Sequence, residues 1–182
     1  MSDQAAELLP VLITPRLKLR CFRASDAPVL AANLTPAVTR WLATWPDPVS
    51  VELAVERIAL ARGGVLAGWH VSYAIERLSD GVVIGGFGGG TVDATDVIDI
   101  GYHLAEHAHG HGYMTEAGRA ALAAMWRLLP VQVIEAVAQR ENAASFGVMQ
   151  KLGMSPVGQR LIHSPARDRW EWCGAQAISR PA

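Results

Sequence analysis

His109-Gly110-His111-Gly112-Tyr113 stands directly before a run with helical apolar spacing: Met114, Ala117, Ala121, Met125 and Leu128. Two glycines among bulky residues leave successive backbone N–H groups unobstructed where that helix begins. A helix start carries about half a positive charge and unpaired N–H donors, so it suits a phosphate or pyrophosphate. The common nucleotide fingerprints do not fit. The G-x-G-x-x-G pattern finds Thr115 where Gly110 and Gly112 require a third glycine, and Thr91 where Gly86 and Gly88 require one. No Gly-Lys-Ser/Thr tripeptide occurs, which excludes a Walker loop. His103, His107, His109 and His111 are dense enough to suggest a metal. Alternation within a glycine-rich loop does not bring imidazoles to one point, however, and no carboxylate or cysteine set joins them, so no metal is expected.

The elements that must hold this loop are read from periodicity. Residues 1–13 are expected to be a flexible lead-in and 14–182 a single domain. Leu17 and Leu19 alternate with charge in a strand over 16–22. Ser25 is placed to cap a helix reaching Leu34, with Asp26 in its first turn, and a Trp- and Pro-rich connection runs over 35–48. Ser50 caps a second helix, which Gly63-Gly64 should end, with Val51, Val55, Ile58 and Arg62 as its stripe. Ser79-Asp80-Gly81 turns a strand over 69–76 back into one over 82–87, whose end Gly88-Gly89-Gly90 should loosen. A strand over 97–104 leads into the glycine loop. Its helix, 113–129, is closed by Pro130. A strand over 131–138, a helix capped by Asn142 and ended by Gly153, and two last strands near 157–162 and 169–176 complete a mixed α/β order.

Three blocks carry a resemblance. Asp99-Ile100-Gly101-Tyr102-His103-Leu104 followed by His107 to Ala117 resembles the acetyl-CoA-binding motif of the GNAT superfamily of N-acetyltransferases, Gln/Arg-x-x-Gly-x-Gly/Ala. Gly110 and Gly112 match its glycines, and His107 stands where Gln or Arg is usual. Asn142-Ala143-Ala144-Ser145 with Lys151-Leu152-Gly153-Met154 resembles the family's N-x-x-S and KLGF segment. Thr14-Pro15-Arg16-Leu17-Lys18-Leu19-Arg20, with Asp26-Ala27 and Arg167-Asp168, is similar to the RimJ/RimL-type branch.

The resemblance implies a mostly antiparallel central sheet with helices on both faces, and acetyl-CoA as acetyl donor. The amides of His109, Gly110, His111, Gly112, Tyr113, Met114 and Thr115 would take the pyrophosphate. Tyr102, His103 and Leu104 would pair with the pantetheine arm as an added strand, or point an N–H at the thioester carbonyl. Asn142 has a donor and an acceptor, so it can cap its helix and bind an arm amide. Ser145 would reach the sulfur; the alternative is a serine bonding back to Asn142. Asp99 is a candidate base, or else a solvent-facing strand residue. Glu116 reads as a first-turn charge that would repel phosphate if it faced it. Trp41 and Trp45 would wall the acceptor pocket, or anchor their loop on the core. Trp170 and Trp172, on one strand face, suit packing or a homodimer contact.

The acceptor stays open between a protein N-terminal α-amine and a small amine. An α-amine is neutral roughly once in seven at pH 7 and a lysine amine roughly once in 2,500, so α-amine chemistry can proceed with a weak base. The transfer would be direct attack in a ternary complex; a non-catalytic acyl-CoA sensor is the alternative. Bulk properties agree with a globular enzyme. Apolar residues make up 51% and charged residues 18%, enough to exclude disorder. A net charge of -1 argues against a nucleic-acid binder. No apolar run is long enough to cross a bilayer, and residues 1–9, with Asp3 and Glu7 and no basic start, do not read as a signal peptide, so a cytoplasmic protein without membrane partners is expected. Cys21 and Cys173 alone make no disulfide framework.

Overall fold

Strand alternation divides the apolar residues between two faces of one sheet, and helices cover both. The structure, a computed structural model, describes residues 8–91 and 96–181. Its strands are β1 (Leu12–Ile13), β2 (Leu17–Cys21), β3 (His70–Arg77), β4 (Val83–Thr91), β5 (Val97–Leu104), β6 (Val133–Gln139), β7 (Ser155–Ser164) and β8 (Arg169–Ser179). They form an 8-stranded sheet in the order β1-β2-β3-β4-β5-β6-β8-β7. Every neighbouring pair is antiparallel except β5 and β6. The helices are α1 (Ala27–Asn33), α2 (Pro36–Thr39), α3 (Val51–Leu66), α4 (Tyr113–Leu128) and α5 (Ala143–Lys151). This is the mixed, mostly antiparallel sheet expected from the sequence.

Val71, Tyr73 and Ile75 of β3 join Phe87, Ile98, Ala117, Ala121 and Met125 in the main core beneath α4. Ala74, pointing the other way, joins Phe22, Leu30, Ala54 and Ile58 in a second core beneath α1 and α3. Arg20, the register partner of Ala74, is buried on the second-core face. Its guanidinium donates to both carboxylate oxygens of Asp26 at 2.7 and 2.9 Å, and to Glu76 at 2.8 Å.

Several local expectations need correction. The lead-in is described only from Leu8, where Leu9 is buried and β1 pairs with β2; residues 1–7 of that expectation lie outside the described residues. Ser25 does not cap α1: a 3-10 turn over Ala24–Asp26 precedes it, and Asp26 is the cap position. The helix α3 runs through Gly63-Gly64 to Leu66 and buries Ala54, Ile58, Gly64 and Val65, leaving Val51 and Val55 exposed. Gly64 is there for close approach, since a Cβ would lie 2.9 Å from His70 and from the Trp69 ring. On α4, Leu128 is exposed, unlike the rest of its stripe. Gly88-Gly89-Gly90 does not loosen β4 but pairs in register with both β3 and β5. Among the described residues no helix is long and apolar enough to cross a membrane.

Candidate active site

The parallel pairing of β5 with β6 covers only Val97–Ile100 against Val133–Ala136. Beyond Ile100, β5 stays on β4 through Leu104 while β6 stays on β8 through Gln139. The sheet therefore opens into a V, with Ile100 at its apex and Gly101 to Leu104 along one unpaired edge. A groove of about 1260 Å³ occupies this opening and continues onto the α1–α3 face. That is larger than the usual small-molecule site of about 300–1,000 Å³, and leaves room for two substrates.

At one end lies the glycine loop. Gly110 and Gly112 both have φ of 78°, and Gly112 is the N-cap of α4. The left-handed backbone admits glycine at little steric cost and turns the chain into the helix, so the first N–H groups of α4 open toward the groove. Gly110, Gly112, Tyr113 and Thr115 line it. Met114 also lines it, but its side chain is buried in the core, leaving its backbone to serve. The histidines do not converge. Among the described residues no group of three or more His, Cys, Asp or Glu side chains could hold a metal ion. His109 turns back: its Nε2, in the tautomer carrying hydrogen there, donates to the Leu104 carbonyl at 3.0 Å. His111 and His107 are exposed and lie off the groove.

Arg16 and Glu116 form a contact beside the glycine loop that local reading missed. Glu116 accepts from Thr14 Oγ1 at 2.6 Å, Arg16 N at 2.9 Å and Arg16 Nε at 2.7 Å. Burial works against its charge, but those bonds outweigh it and lower its pKa. The same guanidinium donates to the His111 carbonyl at 3.0 Å and lies 4.6 Å from the Tyr113 ring centre. Glu116 is thus matched by a cation rather than free to repel phosphate. The only sequence signal was the Thr14-Pro15-Arg16 block itself.

Across the V, Asn142 caps α5, its Oδ1 accepting from Ser145 N at 3.1 Å. Its Nδ2 has no partner among the described residues, and the side chain lines the groove. Ser145 Oγ does not bond back to Asn142. It lies 2.8 Å from Tyr102 OH, which also reaches the Ser145 carbonyl at 3.1 Å. Burial raises the Tyr102 phenol to about 12, so it keeps its proton. The ring stacks on Phe87 at 5.6 Å.

Toward the α1–α3 face, Asp99, Gly101 and His103 alternate along β5, and a Cβ on Gly101 would meet nothing within 4 Å. Solvent reaches Asp99 at the groove, yet the walls crowd it. That desolvation, with the charge of its β6 neighbour Glu135, raises its carboxyl to about 6. Burial lowers His103 to about 4, and its Nε2 is buried without a partner. Glu171 behaves oppositely: hydrogen bonds from Arg167, then Gln139 and Arg169, hold it down at about 2 despite burial. Cys173 also lines the groove, but burial raises its thiol, so it is a poor nucleophile. Trp41 and Trp45 form part of the wall, and Trp45 also packs on the second core. Their loop is tied across to the β7–β8 turn: Ser164 Oγ and Ala166 N donate to the Ala43 carbonyl at 3.0 and 3.1 Å, and Arg167 to that of Leu42 at 3.1 Å.

A sheet split beside a glycine-started helix, with a capping Asn on the facing helix, fits a ligand with a pyrophosphate and an extended amide arm. The acetyltransferase (GNAT) domain family matches residues 16–155, and the chain belongs to that family. It is an acetyl-CoA-dependent N-acetyltransferase. No curated protein sequence matches it. Among solved structures, an acetyltransferase from Salmonella typhimurium that modifies the N-terminal serine of ribosomal protein L7/L12 superposes with TM-score 0.81 at 16% identity, covering 94% of this chain and 100% of that one. Mycobacterium smegmatis RimJ in complex with CoA-disulfide gives 0.77 at 22%, covering 90% and 81%. A GNAT-family acetyltransferase from Bacillus anthracis gives 0.78 at 20%, covering 93% and 98%. These likenesses are of fold, and they include the RimJ/RimL branch that the sequence resembles.

Proposed function

We propose that the acceptor is a protein N-terminal α-amine, attacked directly in a ternary complex, within one domain spanning residues 14–182. The observation that carries this reading is the apex of the V, where Asp99 faces an acceptor groove that joins the donor groove without a break. The Salmonella neighbour's action on an N-terminal serine supports it. Acetyl-CoA supplies the activated acetyl thioester. The amides from His109 to Thr115, with α4's N-terminal charge, hold the pyrophosphate. Gly101 to Leu104 offer an unpaired strand edge to the arm, and Asn142 Nδ2 offers it a donor.

Asp99 is the base. It is ionised at neutral pH, and its pKa lies nearer that of an α-amine than an ordinary carboxylate's does, which improves proton transfer. Glu171 is pinned too low for that task. Ser145, backed by the protonated Tyr102, stands as proton donor to the departing thiolate. Trp41 and Trp45 wall the acceptor's first side chain. The cytoplasm, where thiols stay reduced, is the proposed compartment, in keeping with the free cysteines.

A thiol-release assay over peptides with free or blocked α-amines, lysine peptides and small amines tests the acceptor. Turnover that requires the free peptide α-amine is expected; turnover with small amines alone would overturn it. Exposed Trp170 and Trp172, at 65% and 59%, are proposed as a homodimer contact. Sedimentation should show a dimer that Trp172→Ser weakens, and a monomer at every concentration would remove the proposal.

A further inference from the structure

Asp99 and Glu135 are register partners on adjacent parallel strands. Partners on adjacent strands share a face and lie about 5 Å apart along the hydrogen-bonding direction. Two carboxylates are thus side by side at the apex of the V. Glu135 is held by a third strand: Arg160 of β7 reaches over with Nε at 3.0 Å from its Oε1 and Nη2 at 2.7 Å from its Oε2. This two-pronged geometry is the strong form of the carboxylate–guanidinium contact.

The other charged and titratable groups lining the groove with Asp99 include His70, His103, His163, Arg57 and the paired Arg167 and Glu171. From β4 its register partner is Gly90, and beyond that lies His70 of β3, whose pKa burial lowers. His103 is on its own strand and Arg57 reaches the groove from α3. Among the described residues, Glu135 is the acidic neighbour in register, and Arg160 is the cation that answers it.

We propose that Arg160 is a positioning residue for amine deprotonation, acting through Glu135 to set the charge on Asp99. With Arg160 in place, the charge of Glu135 is only partly felt at Asp99, which can ionise near neutral pH. Without it, Glu135 is a bare negative charge beside the base, and Asp99 keeps its proton to higher pH. Without Glu135, Arg160 has no route to Asp99. This rests on Asp99 being the base, but the coupling can be read independently of catalysis.

The test is the titration of the Asp99 carboxyl by NMR with carbon-13-labelled aspartate, alongside the pH dependence of kcat/KM. Arg160→Gln should move the Asp99 midpoint up by about one pH unit and Glu135→Gln should move it down by about one, the range for a charge within a few ångströms. Arg160→Lys should restore most of the first shift. The double variant Arg160→Gln/Glu135→Gln should titrate like Glu135→Gln alone. An Arg160→Gln shift that persists in the Glu135→Gln background, or no shift in either single variant, would overturn the proposal. If Asp99→Asn leaves kcat/KM unchanged, the base assignment fails while the carboxyl titration still decides the coupling.

Discussion

Asp99 and Glu171 show how one functional group, the carboxyl, takes opposite charge behaviour from its neighbours. Glu171 receives donors from Arg167, Gln139 and Arg169. Asp99 receives protein walls and another carboxylate. A carboxyl raised in the folded state loses stability as it ionises, above its unfolded value of about 3.9. Asp99→Asn should therefore raise Tm at pH 7 while lowering kcat by about 10²–10⁴-fold, the usual span for a general base. The pH profile should lose its limb near 6, below which Asp99 is protonated, and keep only the rise set by the acceptor amine. A lower Tm with unchanged kcat would mark Asp99 as structural. Asn142 divides its two ends between two tasks. Its Oδ1 caps α5, worth about 1 kcal/mol, so Asn142→Ala should lower Tm by about 2–4 °C. Loss of the Nδ2 donor should raise the Kd for acetyl-CoA about tenfold, one hydrogen bond's worth. Calorimetry beside thermal melting separates the two effects.

At the scale of elements, the proposed anion site at the start of α4 depends on the turn between β1 and β2. Its first turn carries Glu116, which opposes bound phosphate unless matched. Arg16 matches it at 2.7 Å and also holds the His111 carbonyl. Arg16→Ala should weaken acetyl-CoA binding by about tenfold, within the range for a charge near a helix terminus. Adding Glu116→Gln should recover most of that loss, measured by calorimetry; additive losses would deny the coupling. Such pairs explain what the sequence hid. The strand 97–104, the Gly110–Gly112 loop and the Asn142 cap were legible because each is a local pattern with a local cause. Arg16 and Glu116 lie far apart in the chain, so no window contains both. The glycines at 64 and 88–90 misled for the same reason. Gly90 makes room for the His70 and Trp69 rings, each 2.9 Å from a Cβ placed there, and Gly88 for the Val71 carbonyl at 2.7 Å. Their cause is a neighbour across the sheet, not a turn. Histidine density in the loop suggested side-chain chemistry, whereas His109 serves the Leu104 carbonyl.

Over the whole molecule, the proposed donor and acceptor halves of the one groove are held by different parts of the chain. The donor half rests on β5, α4 and α5. The proposed acceptor half is roofed by the Trp41–Trp45 connection, which Arg57 of α3 ties from one side by donating to the Thr44 carbonyl at 3.2 Å. From the far edge of the sheet it is held by the bonds from Ser164, Ala166 and Arg167 to the carbonyls of Leu42 and Ala43. Arg167 is itself held in place, because Glu171 pairs with it at 2.6 Å. Loosening the roof should therefore disturb one substrate and spare the other. Arg167→Ala should raise KM for the peptide acceptor severalfold, as expected when positioning is lost away from the chemistry. The Kd for acetyl-CoA should stay within about twofold, because removing one part-exposed contact outside its site changes little. Arg167→Lys keeps the charge near Glu171 but not the fork of donors, so it should recover only part of the loss. A matching rise in the acetyl-CoA Kd would show that the roof shapes the whole groove and that the two halves are not independent.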